Sequence, residues 1–147
     1  MPGTIVMQDV LSTDVLRKRL FLLKDMGAAL ADTTANVDTV TVAGLPDAGG
    51  TIVQAYGAAG TQPAGTTTMK YDVHRNHRNT SQTIFATRLI WVASTTNATA
   101  PTLSATAADL KVYNGDQLQL RCDVIGSTTA GSDISVTVEV RADAPND

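Results

Sequence analysis

Two stretches of this chain alternate apolar and polar side chains without a break. Leu118, Leu120, Cys122 and Val124 share one parity, against Gln117, Gln119, Arg121 and Asp123 on the other. Ile134, Val136, Val138 and Val140 repeat the pattern against Ser135, Thr137, Glu139 and Arg141. A period of two held this long makes each stretch a strand with one face on a core and one in water, as antiparallel sheets present. A chain of 147 residues has room for one such core and not comfortably for two. Charged residues are 17% of it, below the usual share of about 25%. Much of the polar remainder is Thr, whose branched Cβ suits a pleated surface.

The same alternation, more weakly, covers the middle of the chain. Residues 36–42 place Val40 and Val42 on one face, with Thr39 and Thr41 on the other, and residues 45–50 then read as a turn. Residues 51–56 read as a short strand, followed by a flexible Gly-rich connection over 57–65. In 67–74, Met69, Tyr71 and Val73 point inward, with Lys70, Asp72 and His74 outward. Residues 81–93 read as one strand, apolar on both faces near its end, either central or covered by a partner. Leu110 and Val112 precede an Asn114-Gly115 turn. About seven or eight strands and no βα alternation give an all-β, antiparallel two-sheet sandwich, with a jelly roll as its natural closure.

Residues 1–30 read differently from residues 31–147, which hold the sandwich domain. Here Leu16, Leu20 and Leu23 could share a helical face with Leu22 and Met26 beside it, with Ser12 or Thr13 as a cap and Gly27 as a stop. A strand fits equally, with Arg17, Arg19, Phe21 and Leu23 alternating against Lys18, Leu20 and Leu22. Either way the segment carries more apolar surface than a solvated arm tolerates, with basic residues among it. It is therefore expected to be an interface element, through Leu16, Arg17, Arg19, Leu20, Phe21 and Leu23, that meets an acidic neighbour.

Few groups suggest chemistry. The net charge of −3 argues against a nucleic-acid partner, and no apolar run is long enough to span a membrane as a helix. Residues 1–7 lack the pattern of a signal peptide, so cytoplasmic synthesis is expected. The lone Cys122 excludes an intrachain disulfide framework, and its parity makes it a buried hydrophobe rather than a nucleophile. His74 and His77 lie in a doubled tripeptide, His-Arg-Asn-His-Arg-Asn. Imidazoles three apart can approach one metal ion, but no acid or thiol lies within the stretch, so a solvated or contact-making loop is the reading. Its Arg75 and Arg78 are candidates to contact an acidic protein surface. Asp116, after Gly115, reads as turn chemistry. No Gly-x-Ser-x-Gly motif or phosphate loop is present. The expectation is a protein with no catalytic residues, no cofactor and no metal.

Gly115-Asp116-Gln117-Leu118, which turns into a strand, and the final Val136-Thr137-Val138 strand resemble the closing strands of small jelly-roll-like structural proteins of tailed bacteriophages. The resemblance spans about residues 37–141 and includes a short strand followed by a Gly-rich connection over 52–68. It implies a head decoration or capsid cement protein that binds the major capsid protein as a homo-oligomer, often a trimer in that family. The place implied is the capsid surface, after assembly in the host cytoplasm, with no nucleic acid or membrane involved. The alternative is a receptor- or carbohydrate-binding module of a phage tail or fibre, with Trp91 and Tyr56, Tyr71 or Tyr113 as a sugar platform. A hydrolase on the same scaffold would need clustered His and carboxylate ligands, which two histidines in one stretch do not supply.

Overall fold

The computed structural model describes residues 18–29, 35–65, 68–125 and 130–143. Their strands are β1 (Lys18–Ala28), β2 (Asp38–Thr41), β3 (Gly50–Thr61), β4 (Met69–His77), β5 (Thr80–Thr83), β6 (Phe85–Thr87), β7 (Leu89–Trp91), β8 (Thr102–Leu103), β9 (Lys111–Val112), β10 (Gln117–Val124) and β11 (Ser132–Ala142). One turn of helix, α1 (Ala107–Leu110), precedes β9. One sheet runs β1-β11-β3-β9 and a second β2-β10-β4-β5, with β7 also on β4; β6 and β8 form a separate pair. Every ladder is antiparallel.

The two strongest alternations become β10 and β11, which lie in different sheets and turn their apolar parities onto one core. Leu118, Leu120 and Cys122 are fully buried in the second sheet, and Ile134, Val136, Val138 and Val140 in the first. Val124 follows an irregularity in the ladder to β4 and is only half-buried. Ile52 and Ala55 of β3 join this cluster, as do Met69, Tyr71 and Val73 of β4. Two sheets with a common apolar interior are the arrangement of a β-sandwich.

Of the two readings of the early apolar segment, the strand is the one found over Lys18–Ala28. β1 pairs with β11 from Lys18↔Arg141 to Asp25↔Ile134, which turns Phe21 and Leu23 inward and Leu20 and Leu22 outward. Leu16 and Arg17 lie outside the described residues. Where β1 passes β2, Lys24 N donates to Asp38 Oδ2 at 2.7 Å and Arg19 Nε to Gly44 O at 3.1 Å. Tyr71 Oη of the second sheet donates to Asp25 Oδ2 of β1 at 2.5 Å. These bonds tie the sheets together along that side.

Three expectations change. Residues 57–61 are not a flexible connection but the continuation of β3. A Cβ on Gly57 would stand 2.6 Å from two ring carbons of Trp91, so this glycine is there for close approach between sheets, not for a turn. The single strand expected over 81–93 is three, because β6 leaves β4 to pair with β8. The stretch from His74 is not a loop: His74 to His77 finish β4, and only Arg78 and Asn79, both at positive φ, make the hairpin turn to β5.

Cys122 has the core place its parity implies. Burial pushes its thiol up to about 11, with Asp25 and Asp123 adding to the shift and Tyr71 opposing it. Near neutral pH it therefore carries almost no thiolate. A disulfide reagent should label it slowly in the folded protein and fast after denaturation. Equal rates in both states would mean that the thiol is accessible.

Candidate functional site

The candidate interface residues separate by face. Leu20 is 65% exposed, Leu22 47% and Met26 70%, although all three sit on an ordered strand. They point away from the core, with the exposed Lys18 and Lys24 on the same parity. Lys18 lies 3.3 Å from Glu139 of β11. Phe21 is partly buried against the core and Leu23 completely buried, so these two serve the fold of this chain. The edge of β1 is blunted: Lys24 N–H is held by Asp38, and Lys18 O accepts Arg19 Nη1 at 3.0 Å. What β1 offers a partner is its outward face, with two leucines between two lysines at strand spacing.

The other two candidates, Arg75 and Arg78, lie at the far end of β4. Arg75 Nη1 donates to Lys111 O of β9 at 3.1 Å, while its Nε is buried with no partner among the described residues. Arg78 is exposed and lines an open cleft with His77, Tyr113, Asn114, Gly115 and Asp116. Asp116 organises that end. It is nearly buried, accepts from His77 Nδ1 at 2.6 Å and from the Tyr113 N–H at 2.9 Å. The turn role expected of it is present, joined by the histidine. Of the candidates, Arg78 alone lines this cleft among the described residues.

The opposite face of β4 carries a network that sequence reading missed. Asp72, outward by parity, is 1% exposed. Its carboxylate accepts from Thr83 Oγ1 at 2.5 Å and His74 Nε2 at 2.9 Å, with Arg88 Nε at 3.4 Å. Arg88 also contacts Asp123. Burial alone would raise the Asp72 pKa; hydrogen bonds from His74 and Thr83, with the charges of His74 and Arg88, outweigh it and hold the pKa below the ordinary value. His74 Nδ1 stands 3.1 Å from Ser81 Oγ, which completes a Ser–His–Asp row. Acyl transfer needs more than the row: donors for an oxyanion and walls that exclude water. Ser81 lies exposed on β5, the end strand of its sheet, and borders neither this cleft nor the groove beside β3. The hydrogen bonds from Thr83 and His74 satisfy the buried Asp72 carboxylate.

Among the described residues, no group of three or more His, Cys, Asp or Glu side chains could hold a metal ion, and no helix is long and apolar enough to cross a membrane. A further concavity is a groove of about 370 Å³ lined by residues 54–57 of β3 and by residues 97–101.

No protein-family model matches the chain, and no curated protein matches it. Among solved structures, it is similar to a chain of the capsid asymmetric unit of the cyanophage Pam1. The two are 14% identical, with 86% of each chain covered and a TM-score of 0.44. That likeness is too distant to assign a role.

Proposed function

We propose that the protein is a phage virion structural protein of the cement or decoration type, which stabilises a head by binding the major capsid protein lattice through the outward face of β1. The observation that carries this reading is the exposure of Leu20, Leu22 and Met26 on a strand that is paired with β11. A solvated strand gains nothing from three large apolar side chains in water, whereas a covered one gains roughly 1.5–3 kcal/mol from each. The flanking Lys24 favours an acidic neighbour. The closing-strand resemblance, Gly115 to Leu118 and Val136 to Val138, directs the reading to phage heads. The strand orders support the jelly-roll topology that goes with it. From β1 to β4 the chain alternates between the two sheets, and the last strand returns beside the first, as two intertwined Greek keys require. Homo-oligomers, often trimers in the resembling family, belong to the same reading.

The test is cosedimentation with purified empty heads of the phage that encodes the protein. The double variant Leu20→Ser, Leu22→Ser should keep its circular dichroism spectrum and melting temperature, because both side chains are outside the core. Its head affinity should fall at least tenfold. Charge reversal at Lys24 should also weaken binding, more at low salt than at high. Unchanged affinity in both variants overturns the assignment of this face; absence of any binding by the unaltered protein overturns the capsid role.

A further inference from the structure

The fold sorts the aromatic side chains that a sugar platform could use. Trp91 and Tyr71 are fully buried against each other, ring centroids 5.6 Å apart in an edge-to-face contact. Tyr113 packs on His77 at 5.4 Å, with Lys111 Nζ 5.2 Å from its ring centre. Tyr56 is left, 49% exposed on β3 and bordering the 370 Å³ groove. Its hydroxyl and ring make no hydrogen bond or aromatic contact among the described residues.

The groove exists because the sheet edge at β3 is interrupted. β9 pairs there only with Gly50 and Thr51, and the next bond on that edge is Ala98 N–H to Gly57 O at 2.9 Å. The far wall is held at several points: Ala59 N–H donates to Thr96 O at 2.7 Å, Thr99 N–H to Ile90 O at 2.7 Å, and Asn97 bridges to Ala58. Both walls are therefore fixed before any ligand arrives, which spares the ordering cost that weak ligands cannot offset.

The lining has one chemical character. It contains no ionisable group other than the Tyr56 phenol: Gln54 and Asn97 supply amides, Thr99 a hydroxyl, and Pro101 apolar surface. The side-chain polar atoms of Gln54, Asn97 and Thr99 have no partner among the described residues. A half-exposed aromatic face beside uncharged donors and acceptors suits a neutral ligand with one C–H face and many hydroxyls. We propose that this groove binds a neutral oligosaccharide, one pyranose ring stacked on Tyr56 and its hydroxyls bonded by Gln54, Asn97 and Thr99. Strand addition by a peptide suits the site less. With Gly57 O turned to this edge, alternation makes Ala55 the next residue to present main-chain groups there, and Ala55 is buried. The proposal does not depend on the capsid reading, since the leucines of β1 take no part in the groove.

The test is an amide NMR titration of the full chain with a panel of neutral trisaccharides of glucose, galactose and N-acetylglucosamine, up to about 20 mM, where even a Kd near 1 mM saturates. Saturable shifts confined to residues 54–57 and 97–101 are expected with at least one sugar. Tyr56→Ala should weaken that binding at least tenfold, Asn97→Ala severalfold, and Tyr56→Phe should keep it within about threefold because the ring face remains. The proposal is overturned if no sugar gives saturable shifts, if the shifts lie elsewhere, or if Tyr56→Ala and Asn97→Ala both bind normally. It is also overturned if a neutral Ala-Val peptide, and no sugar, perturbs the groove.

Discussion

Replacing Trp91 with alanine is expected to lower the unfolding free energy by about 3–5 kcal/mol, the range for deleting a buried aromatic. The indole is fully buried, meets Tyr71 edge-on, and donates from Nε1 to Thr96 O at 3.1 Å. Its removal leaves a void between the sheets and takes the donor from a carbonyl beside the groove wall. Gly57→Ala should cost less alone, roughly 1–3 kcal/mol from overpacking, since its new methyl would meet the ring at 2.6 Å. In the Trp91→Ala background the same glycine change should cost nothing or stabilise, because the methyl enters the void. Urea denaturation of the two single variants and the double variant gives the coupling. Additive losses would mean that the ring and Gly57 do not limit each other's space.

The difference between what could be read from the residues and what could not follows from the range of the interactions. Parity is local, so the core residues of β10 and β11 and the burial of Cys122 were legible from a period of two. The helix-or-strand question over Lys18–Ala28 was not, because both patterns fit and the deciding partner is β11, more than a hundred residues away. Gly57 was misread as a loop signal for the same reason, since what excludes a side chain there is Trp91 in the other sheet. Asp72 has outward parity and yet is buried: Thr83, His74 and Arg88 come over it from β4's own hairpin and beyond. Of the interface candidates, exposed Leu20 was legible as surplus apolar surface, and Leu22, recognised in the same segment, shares its face. Phe21 and Leu23 in that run were drawn inward by the alternation. Tyr56 could be named among four aromatics, but only the pairing of Tyr71 with Trp91 and of Tyr113 with His77 sets it apart.

Asp72→Asn is expected to destabilise the protein by roughly 1–3 kcal/mol at pH 7, the range for leaving a buried hydrogen-bonding group unsatisfied. The carboxylate is 1% exposed and accepts from Thr83 and His74 while Arg88 lies at 3.4 Å, so an amide turns at least one of these contacts against a donor. Because the folded-state pKa of Asp72 lies below its ordinary 3.8, its contribution is fully present above that value and is lost as the pH falls through the folded pKa. The stability difference between the unaltered protein and Asp72→Asn should therefore shrink as the pH falls below the ordinary 3.8. Asp123 behaves with the opposite sign. Burial raises its pKa, Arg88 opposes the shift and Asp72 reinforces it. Its ionisation costs the folded state, and that cost is relieved as the pH falls through the raised value. Arg88, the cation that contacts both acids, is half exposed, so its pairing with Asp123 is weakened by water. Asp123→Asn should accordingly stay within about 1 kcal/mol of the unaltered protein at neutral pH. Urea midpoints for the three proteins between pH 3 and 8 separate these cases. A Asp72→Asn deficit that persists undiminished at pH 3 would show that the loss comes from packing and not from the carboxylate charge.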